Sequence, residues 1–139
     1  MKVVFHDRFY EVYSHDPAAA PGRMEAIVRI LKGAFEFAAP EPASERDLER
    51  VHGREHLRSV QRDPALYEVA LLAAGGAILA AERACEGQPA LGLIRPPGHP
   101  ASPHTCWGFC YLNNLAVAIR KLLSTRKTRN ALILDFDLH

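Results

Sequence analysis

A polar loop and an apolar run with an acidic end restrict the possible folds of this chain more than its other segments do. The loop covers residues 95–114, contains His99 and His104, and follows an apolar run at residues 90–94. The acidic end belongs to residues 131–139, which finish in Asp-Phe-Asp-Leu-His. Both apolar runs are predicted to be buried strands, and in parallel α/β sheets ligands gather at the carboxyl ends of strands. The two segments are therefore expected to deliver their polar side chains to one crevice, as a metal or catalytic site.

The apolar periodicity of the remaining chain predicts an α/β protein with a parallel sheet. Besides the two runs above, we expect a strand at residues 3–5, helices at 23–35, 66–86 and 112–123, and short helical turns within 48–60. Strands that alternate with helices of this length are typical of parallel sheets. The glycines at 75 and 76 lie inside the predicted long helix, where each costs roughly 1 kcal/mol relative to alanine. Another backbone is expected to pack closely there.

Composition and charge exclude several classes of protein. The 139 residues suffice for one domain at most, and a net charge of +1 without a basic stripe argues against nucleic-acid binding. An odd number of cysteines, three, does not form a disulfide framework, so a reducing compartment and a cytoplasmic location are expected. No apolar run is expected to reach the 18 or so residues that a membrane span needs.

The Asp-x-Asp-x-His end carries the strongest chemical signal. The period of two in a strand puts Asp135, Asp137 and His139 on one side of the predicted strand. Two carboxylates and an imidazole at the end of an apolar strand are costly unless they are paired or bound to a metal. The alternative is a strand end that simply emerges into solvent.

Three blocks of sequence resemble the signature blocks of the histone deacetylase superfamily, which includes acetylpolyamine amidohydrolases and acetoin-utilisation proteins. They are Arg-Pro-Pro-Gly-His at 95–99, Gly-Phe-Cys-Tyr-Leu-Asn-Asn at 108–114 and Asp-Phe-Asp-Leu-His at 135–139. Their order and spacing are similar to those of the family. The resemblance implies the arginase–deacetylase fold, a three-layer α/β structure with a parallel sheet, in which residues 1–139 form the N-terminal part of a single, truncated domain.

The same resemblance implies a zinc-dependent hydrolysis of the amide of an acetylated amine. Asp137 and His139 would be the first two zinc ligands, and Asp135 would hydrogen-bond the active-site histidine, His99. Zinc would polarise the acetyl carbonyl and lower the pKa of its water, while a histidine takes the proton of that water.

Three further residues acquire a role from the resemblance. Phe109 would line a narrow tunnel for the alkyl chain of the substrate, and Gly108 would let the backbone approach that chain closely. Arg23, in Pro-Gly-Arg-Met-Glu-Ala-Ile, would lie beneath the site and guide the release of acetate. Considered without the resemblance, core packing is the ordinary interpretation of Phe109, and an exposed first helical turn is favoured for Arg23.

The sequence departs from the family pattern in two respects. Pro100 stands where the family has the second histidine of a His-His pair, its usual general base, so His99 or His104 would have to serve as the base. The family's third zinc ligand and its catalytic tyrosine lie beyond residue 139. The chain is therefore expected to be inactive by itself and to associate with another copy through an exposed sheet edge.

Two other classes of function stay open. The first is a non-catalytic pseudo-deacetylase that binds acetylated ligands, which Pro100 favours. The second is a small zinc-stabilised domain built on His99, His104, Cys106 and Cys110, although the paired Cys-x-x-Cys spacing of structural zinc sites is missing.

Overall fold

The computed structural model describes residues 1–15 and 17–138, without the side chain of Ala18. The regular elements are β1 (Lys2–Val4), α1 (Arg23–Leu31), β2 (Glu36–Ala38), α2 (Glu45–Leu48), α3 (Arg54–Val60), α4 (Pro64–Cys85), β3 (Ala90–Gly92) and α5 (Asn114–Ser124), and 3-10 turns cover Asp7–Tyr10 and Pro17–Ala19. The predicted order of strands and helices up to residue 124 is therefore confirmed, except that β2 was not foreseen.

The three strands form a parallel sheet in the order β2-β1-β3. Lys2 at the start of the central strand pairs with Glu36 on one side and Ala90 on the other. This confirms the predicted α/β class. Strand β2 was missed because its three residues follow α1 closely, and the apolar stripe of that helix was extrapolated to Phe35. The helix ends at Leu31, and residues 32–34 form a turn.

Helix α4 is the centre of the core, and its buried residues contribute to both apolar clusters. Its glycine pair meets other parts of the chain, as predicted. A methyl group on Gly75 would collide with the backbone carbonyl of Glu41, and the neighbouring backbone N–H of Ala43 donates to the Leu71 carbonyl at 3.0 Å. A methyl group on Gly76 would come 2.6 Å from the side chain of Ile94. The glycines thus let α4 lie directly against residues 41–43 and the end of β3.

Helix α4 also corrects the expectation about membrane spans. Its 22 residues include an 18-residue stretch of mean hydropathy 1.6, which is long and apolar enough to cross a membrane by length and composition alone. The interspersed glutamates hid this stretch from a search for uninterrupted apolar runs. Half of the stretch is buried within the fold, as is typical of the core helix of a soluble protein.

The predicted strand at residues 131–138 is wrong. These residues have no regular secondary structure, and the large apolar side chains of Phe136 and Leu138 are 87% and 96% exposed. A buried strand requires hydrogen bonds from a neighbouring strand and an apolar layer on each face. Within the described part of the chain, no strand pairs with this segment. The apolar pattern is present in the sequence, but among the described residues no neighbouring strand bonds it.

Candidate active site

A cavity of about 580 Å³ lies between the first turn of α1, the exit of β3 and the loop that follows it. Its lining residues come from these segments and from the acidic end of the chain: Arg23, Met24, Ile27, Ile94, Arg95, Pro97, His99, Pro100, Trp107, Gly108, Phe109, Cys110 and Asp137. Five of the predicted site residues are among them, namely Arg23, His99, Gly108, Phe109 and Asp137. The structure therefore brings together side chains that the sequence separates widely.

The imidazole of His99 faces both described carboxylates of the acidic end. Its Nδ1 atom is 3.2 Å from Oδ2 of Asp135, and its Nε2 atom is 3.9 Å from Oδ2 of Asp137. The other carboxylate oxygen of Asp135 accepts the backbone N–H of Asp137 at 3.0 Å. Asp135 thus contacts the imidazole of His99 and the backbone of Asp137 at the same time. Asp135 is not among the residues that line the cavity. His139, the second predicted zinc ligand, lies outside the described residues.

The loop that carries His99 is fixed by residues at the start of α5 and directly before it. A methyl group on Gly98 would collide with the Leu112 carbonyl, so the two backbone segments are in direct contact. The side-chain amide of Asn114 donates to the Pro96 carbonyl at 3.0 Å, and that of Asn113 donates to the Ala101 carbonyl at 3.0 Å. The loop is therefore held by short contacts on both sides of the histidine.

The part of the loop at the cavity rim has an unusual backbone. Gly108 and Phe109 both adopt positive φ, at 57° and 51°. Glycine adopts this region freely, but a bulky residue such as phenylalanine rarely does. Next to them, Trp107 is 64% exposed although it lines the cavity. Gly108 and Phe109 were predicted site residues, whereas Trp107 was not; its place in the loop was the one signal available for it.

Arg95 is a second residue that the sequence analysis did not assign to the site. Its buried guanidinium lines the cavity and donates to the carbonyls of Tyr10 (3.1 Å), Glu11 (2.7 Å) and Ala20 (3.2 Å). It also lies over the ring of Tyr13, 5.5 Å from the centroid. Arg95 thus connects residues 10–20 to the end of β3. An arginine directly after an apolar strand was the available signal.

His104 lies away from the cavity. Its exposed ring packs against Gly53: a methyl group on Gly53 would be 3.1 Å from the Nδ1 atom of His104. The backbone N–H of Gly53 donates to the Pro103 carbonyl at 2.8 Å. In this conformation His104 is not available to a ligand in the cavity. Of the two candidate bases, only His99 lines it.

The donor types at the site suit zinc, but their number falls short. Within residues 1–15 and 17–138, no group of three His, Cys, Asp or Glu side chains could hold a metal ion. The alternative zinc site that includes the cysteines is not supported either. In the metal-free fold, burial, together with the neighbouring charges of Asp137 and Cys106, raises the pKa of Cys110 to about 11.

Comparisons with known proteins agree with the geometry. A family model described as the histone deacetylase domain matches residues 61–139. A probable deacetylase of Methanothermobacter thermautotrophicus is 32% identical over 156 residues, which cover 99% of this chain and 47% of that protein. A histone deacetylase-like amidohydrolase of Pseudomonas aeruginosa is 34% identical, with coverage of 84% and 36%.

Solved structures include a similar fold. The crystal structure of the HDA15 HD domain matches with a TM-score of 0.75 and 25% identity, over 90% of this chain and 44% of that one. The chain thus spans about half the length, or less, of the curated relatives and the solved structure described here.

Proposed function

The chain belongs to the histone deacetylase family, and on this basis we propose that it contributes to a deacetylase that hydrolyses the amide of an acetylated amine. Acetyl-lysine and acetylpolyamines are the substrate classes proposed. The observation that carries the proposal is the cavity, because it unites Arg23, His99, Phe109 and Asp137 from three separate segments. An apolar wall with a few convergent polar groups is what a small-molecule site requires.

The roles of the lining residues follow from their chemistry. Phe109 and Trp107 offer apolar surface to the alkyl chain that carries the acetylated nitrogen. His99 takes a proton from the water that attacks the amide carbonyl and then gives it to the leaving amine. Asp135, 3.2 Å from Nδ1, orients this imidazole and directs Nε2 towards Asp137 and the cavity.

Zinc is the proposed cofactor, held by Asp137 and His139. When bound, it would polarise the amide carbonyl and lower the pKa of its water. Two protein ligands are fewer than the three of a typical catalytic zinc site. For His139 the assignment rests on the family resemblance alone.

A second candidate function, a non-catalytic module that binds acetylated ligands, is favoured by Pro100. This residue lines the cavity directly after His99 and cannot transfer a proton. Loss of a general base costs about 10²–10⁴ in rate. A protein without this base would keep the cavity and its ligand but would hydrolyse the amide slowly.

The test uses the complete natural protein that contains this sequence, purified with Zn²⁺. Its metal content, its binding of an acetyl-lysine peptide and of an N-acetylated diamine, and the release of free amine are measured together. For an enzyme we expect bound zinc and amine release that His99→Ala abolishes. Exchange of the exposed His15 for Ala serves as the control.

Two other outcomes are informative. Binding of the acetylated ligand with zinc present but without amine release would replace the enzyme with the binding module. Absence of zinc, ligand binding and hydrolysis together would refute the proposed function.

A further inference from the structure

Two imidazoles that do not line the cavity are buried beneath the loop of residues 95–114. His52 lies between α2 and α3, and His56 lies in α3; they are 3% and 4% exposed. Their ring centroids are 4.9 Å apart, with 34° between the ring planes. A buried polar ring is costly unless its nitrogens find partners. The partners recorded for both rings are backbone groups of the cavity loop.

The bonds of His52 determine its protonation. Its Nε2 atom accepts the backbone N–H of Asn113 at 2.9 Å, so this nitrogen carries no proton. Its Nδ1 atom lies 3.0 Å from the Ser102 carbonyl, which can only accept, so Nδ1 must donate. His52 is therefore a neutral imidazole with its proton on Nδ1. Burial, together with the adjacent His56, lowers the pKa of His52 to about 4, which agrees with a neutral ring.

His56 holds the same loop through the opposite nitrogen. Its Nε2 atom is 2.8 Å from the Tyr111 carbonyl and therefore donates. Together the two rings hold the loop at Ser102, Tyr111 and Asn113. These contacts lie on both sides of the rim residues 107–109.

Asn113 connects His52 to the site. While its backbone N–H is held by His52, its side-chain amide donates to the carbonyls of His99 (3.3 Å) and Ala101 (3.0 Å). Its side-chain oxygen accepts the backbone N–H of Ala116 at 3.0 Å and so caps α5. Asn113 is thus fixed from three directions, and one of them leads to the backbone of His99.

We infer that His52 is a positioning residue: its Nδ1–H tautomer fixes Asn113 and, through the side chain of Asn113, the backbone of His99 at the cavity wall. As a statement about ligand binding, this inference rests on the proposed function. As a statement about the geometry of the loop it does not, because every contact lies within the described chain.

The first measurement needs no variant. In uniformly ¹⁵N-labelled protein at neutral pH, long-range ¹H–¹⁵N correlation through the imidazole rings reports which nitrogen carries the proton. We expect a protonated Nδ1 and a bare Nε2 for His52, and a proton on Nε2 of His56. A proton on Nε2 of His52, or on both of its nitrogens, would overturn the inference because Nε2 could not then accept from Asn113.

Two substitutions test the connection. His52→Phe keeps an aromatic ring of similar size but removes both hydrogen bonds. We expect the backbone amide of Asn113 to exchange with solvent at least about tenfold faster, and the amide signals of His99 and Ala101 to shift. Asn113→Asp keeps the oxygen that caps α5 but cannot donate. We expect it to shift the signals of His99 and Ala101 while His52 keeps its tautomer.

A matched control separates positioning from general stability. Asp47→Asn alters a buried group of α2 that contacts Lys121 at 3.0 Å, far along α5 from Asn113. It is expected to destabilise the protein without moving the signals of His99 and Ala101. Unshifted signals in His52→Phe, or equal shifts in Asp47→Asn, would overturn the inference.

If His52→Phe fails to fold, the inference is tested by the tautomer of His52 in the wild-type protein and by the amide signals of the Asn113→Asp variant. None of these readouts depends on hydrolysis. Loss of the proposed deacetylation would therefore leave the result on the loop intact, and a failed loop prediction would leave the proposed function standing.

Discussion

The Nδ1 atom of His99 lies 3.2 Å from Oδ2 of Asp135, and this contact forms although Asp135 is not in a strand. The other oxygen of Asp135 accepts the N–H of Asp137, which turns the local backbone so that both acids face one imidazole. A carboxylate behind an imidazole fixes its orientation and its tautomer. Residues 135–137 thus place both carboxylates against His99 by local contacts, without the predicted strand.

Removal of the Asp135 carboxylate should slow amine release without preventing the acetylated ligand from binding in the cavity. For Asp135→Asn in the complete zinc-containing protein, we expect the rate of amine release to fall about 10–100-fold, since partners that orient site residues have effects of this size. Binding of the acetylated ligand should change little. Glu36→Gln, in an exposed contact with Lys2, is the control. An unchanged rate in Asp135→Asn would remove Asp135 from the mechanism.

The aromatic rim should determine affinity for the alkyl chain. Phe109→Ala removes apolar surface from the cavity wall and is expected to weaken binding of an N-acetylated alkylamine about tenfold. Leu115→Ala, on an exposed position of α5 outside the cavity, should leave affinity unchanged. Isothermal titration calorimetry of both variants gives the comparison. Equal affinities would show that Phe109 serves packing only.

The close packing of α4 should make one glycine indispensable. Gly75→Ala places a methyl group against the Glu41 carbonyl, and we expect it to lower the free energy of unfolding by about 1–3 kcal/mol. Gly33→Ala, in a turn with open space around it, is the matched control and should change it by less than about 0.5 kcal/mol. Urea denaturation measures both. A Gly75→Ala protein as stable as the control would contradict the packing.

Acid should destabilise the protein through His52. Its pKa is lowered from 6.5 to about 4 in the folded state, so between these values the unfolded chain binds more protons. The free energy of unfolding should therefore decrease as pH falls from about 6.5 towards 4, by up to about 3 kcal/mol from this residue. Urea denaturation across this range should show a smaller decrease in His52→Gln. Equal pH dependence in both proteins would rule out His52 as the cause.

Self-association of the chain stays a prediction. It was expected through an exposed sheet edge, but residues 131–138 form no strand; we propose their exposed apolar side chains as the contact surface instead. We expect a dimer or larger assembly by light scattering at micromolar concentration. Phe136→Ser should shift the distribution towards the monomer. A monodisperse monomer of the unmodified chain would contradict this expectation.

The secondary structure was predicted correctly where it depends on the local pattern of apolar residues and glycines. Helix α4 was foreseen from its apolar run, and its close contact with another backbone from the costly glycines at 75 and 76. The parallel sheet followed from the alternation of strands and helices. His99 and Asp137 were expected together because the polar loop and the end of the predicted last strand were expected to meet at one edge. Arg23, Gly108 and Phe109 were predicted from the family resemblance.

The features that the sequence did not predict depend on contacts with residues far away in the chain. The pattern at residues 131–138 specifies a strand only if a neighbouring strand is present to bond it. Arg95 and His52 act through backbone carbonyls and N–H groups, which every residue possesses and no motif reveals. His104 was a candidate because it is near His99 in sequence, yet the loop turns it towards Gly53.

The pairing of β1 has a consequence for synthesis of the chain. Lys2 pairs with Ala90, so the first strand emerges from the ribosome long before its second neighbour exists. Until then, β2 is the one strand of the described sheet with which Val3 and Val4 can pair. Contacts between residues so far apart slow folding. During synthesis the sheet therefore stays incomplete until residue 90 has followed, and one edge of β1 stays unpaired, which invites pairing with another chain.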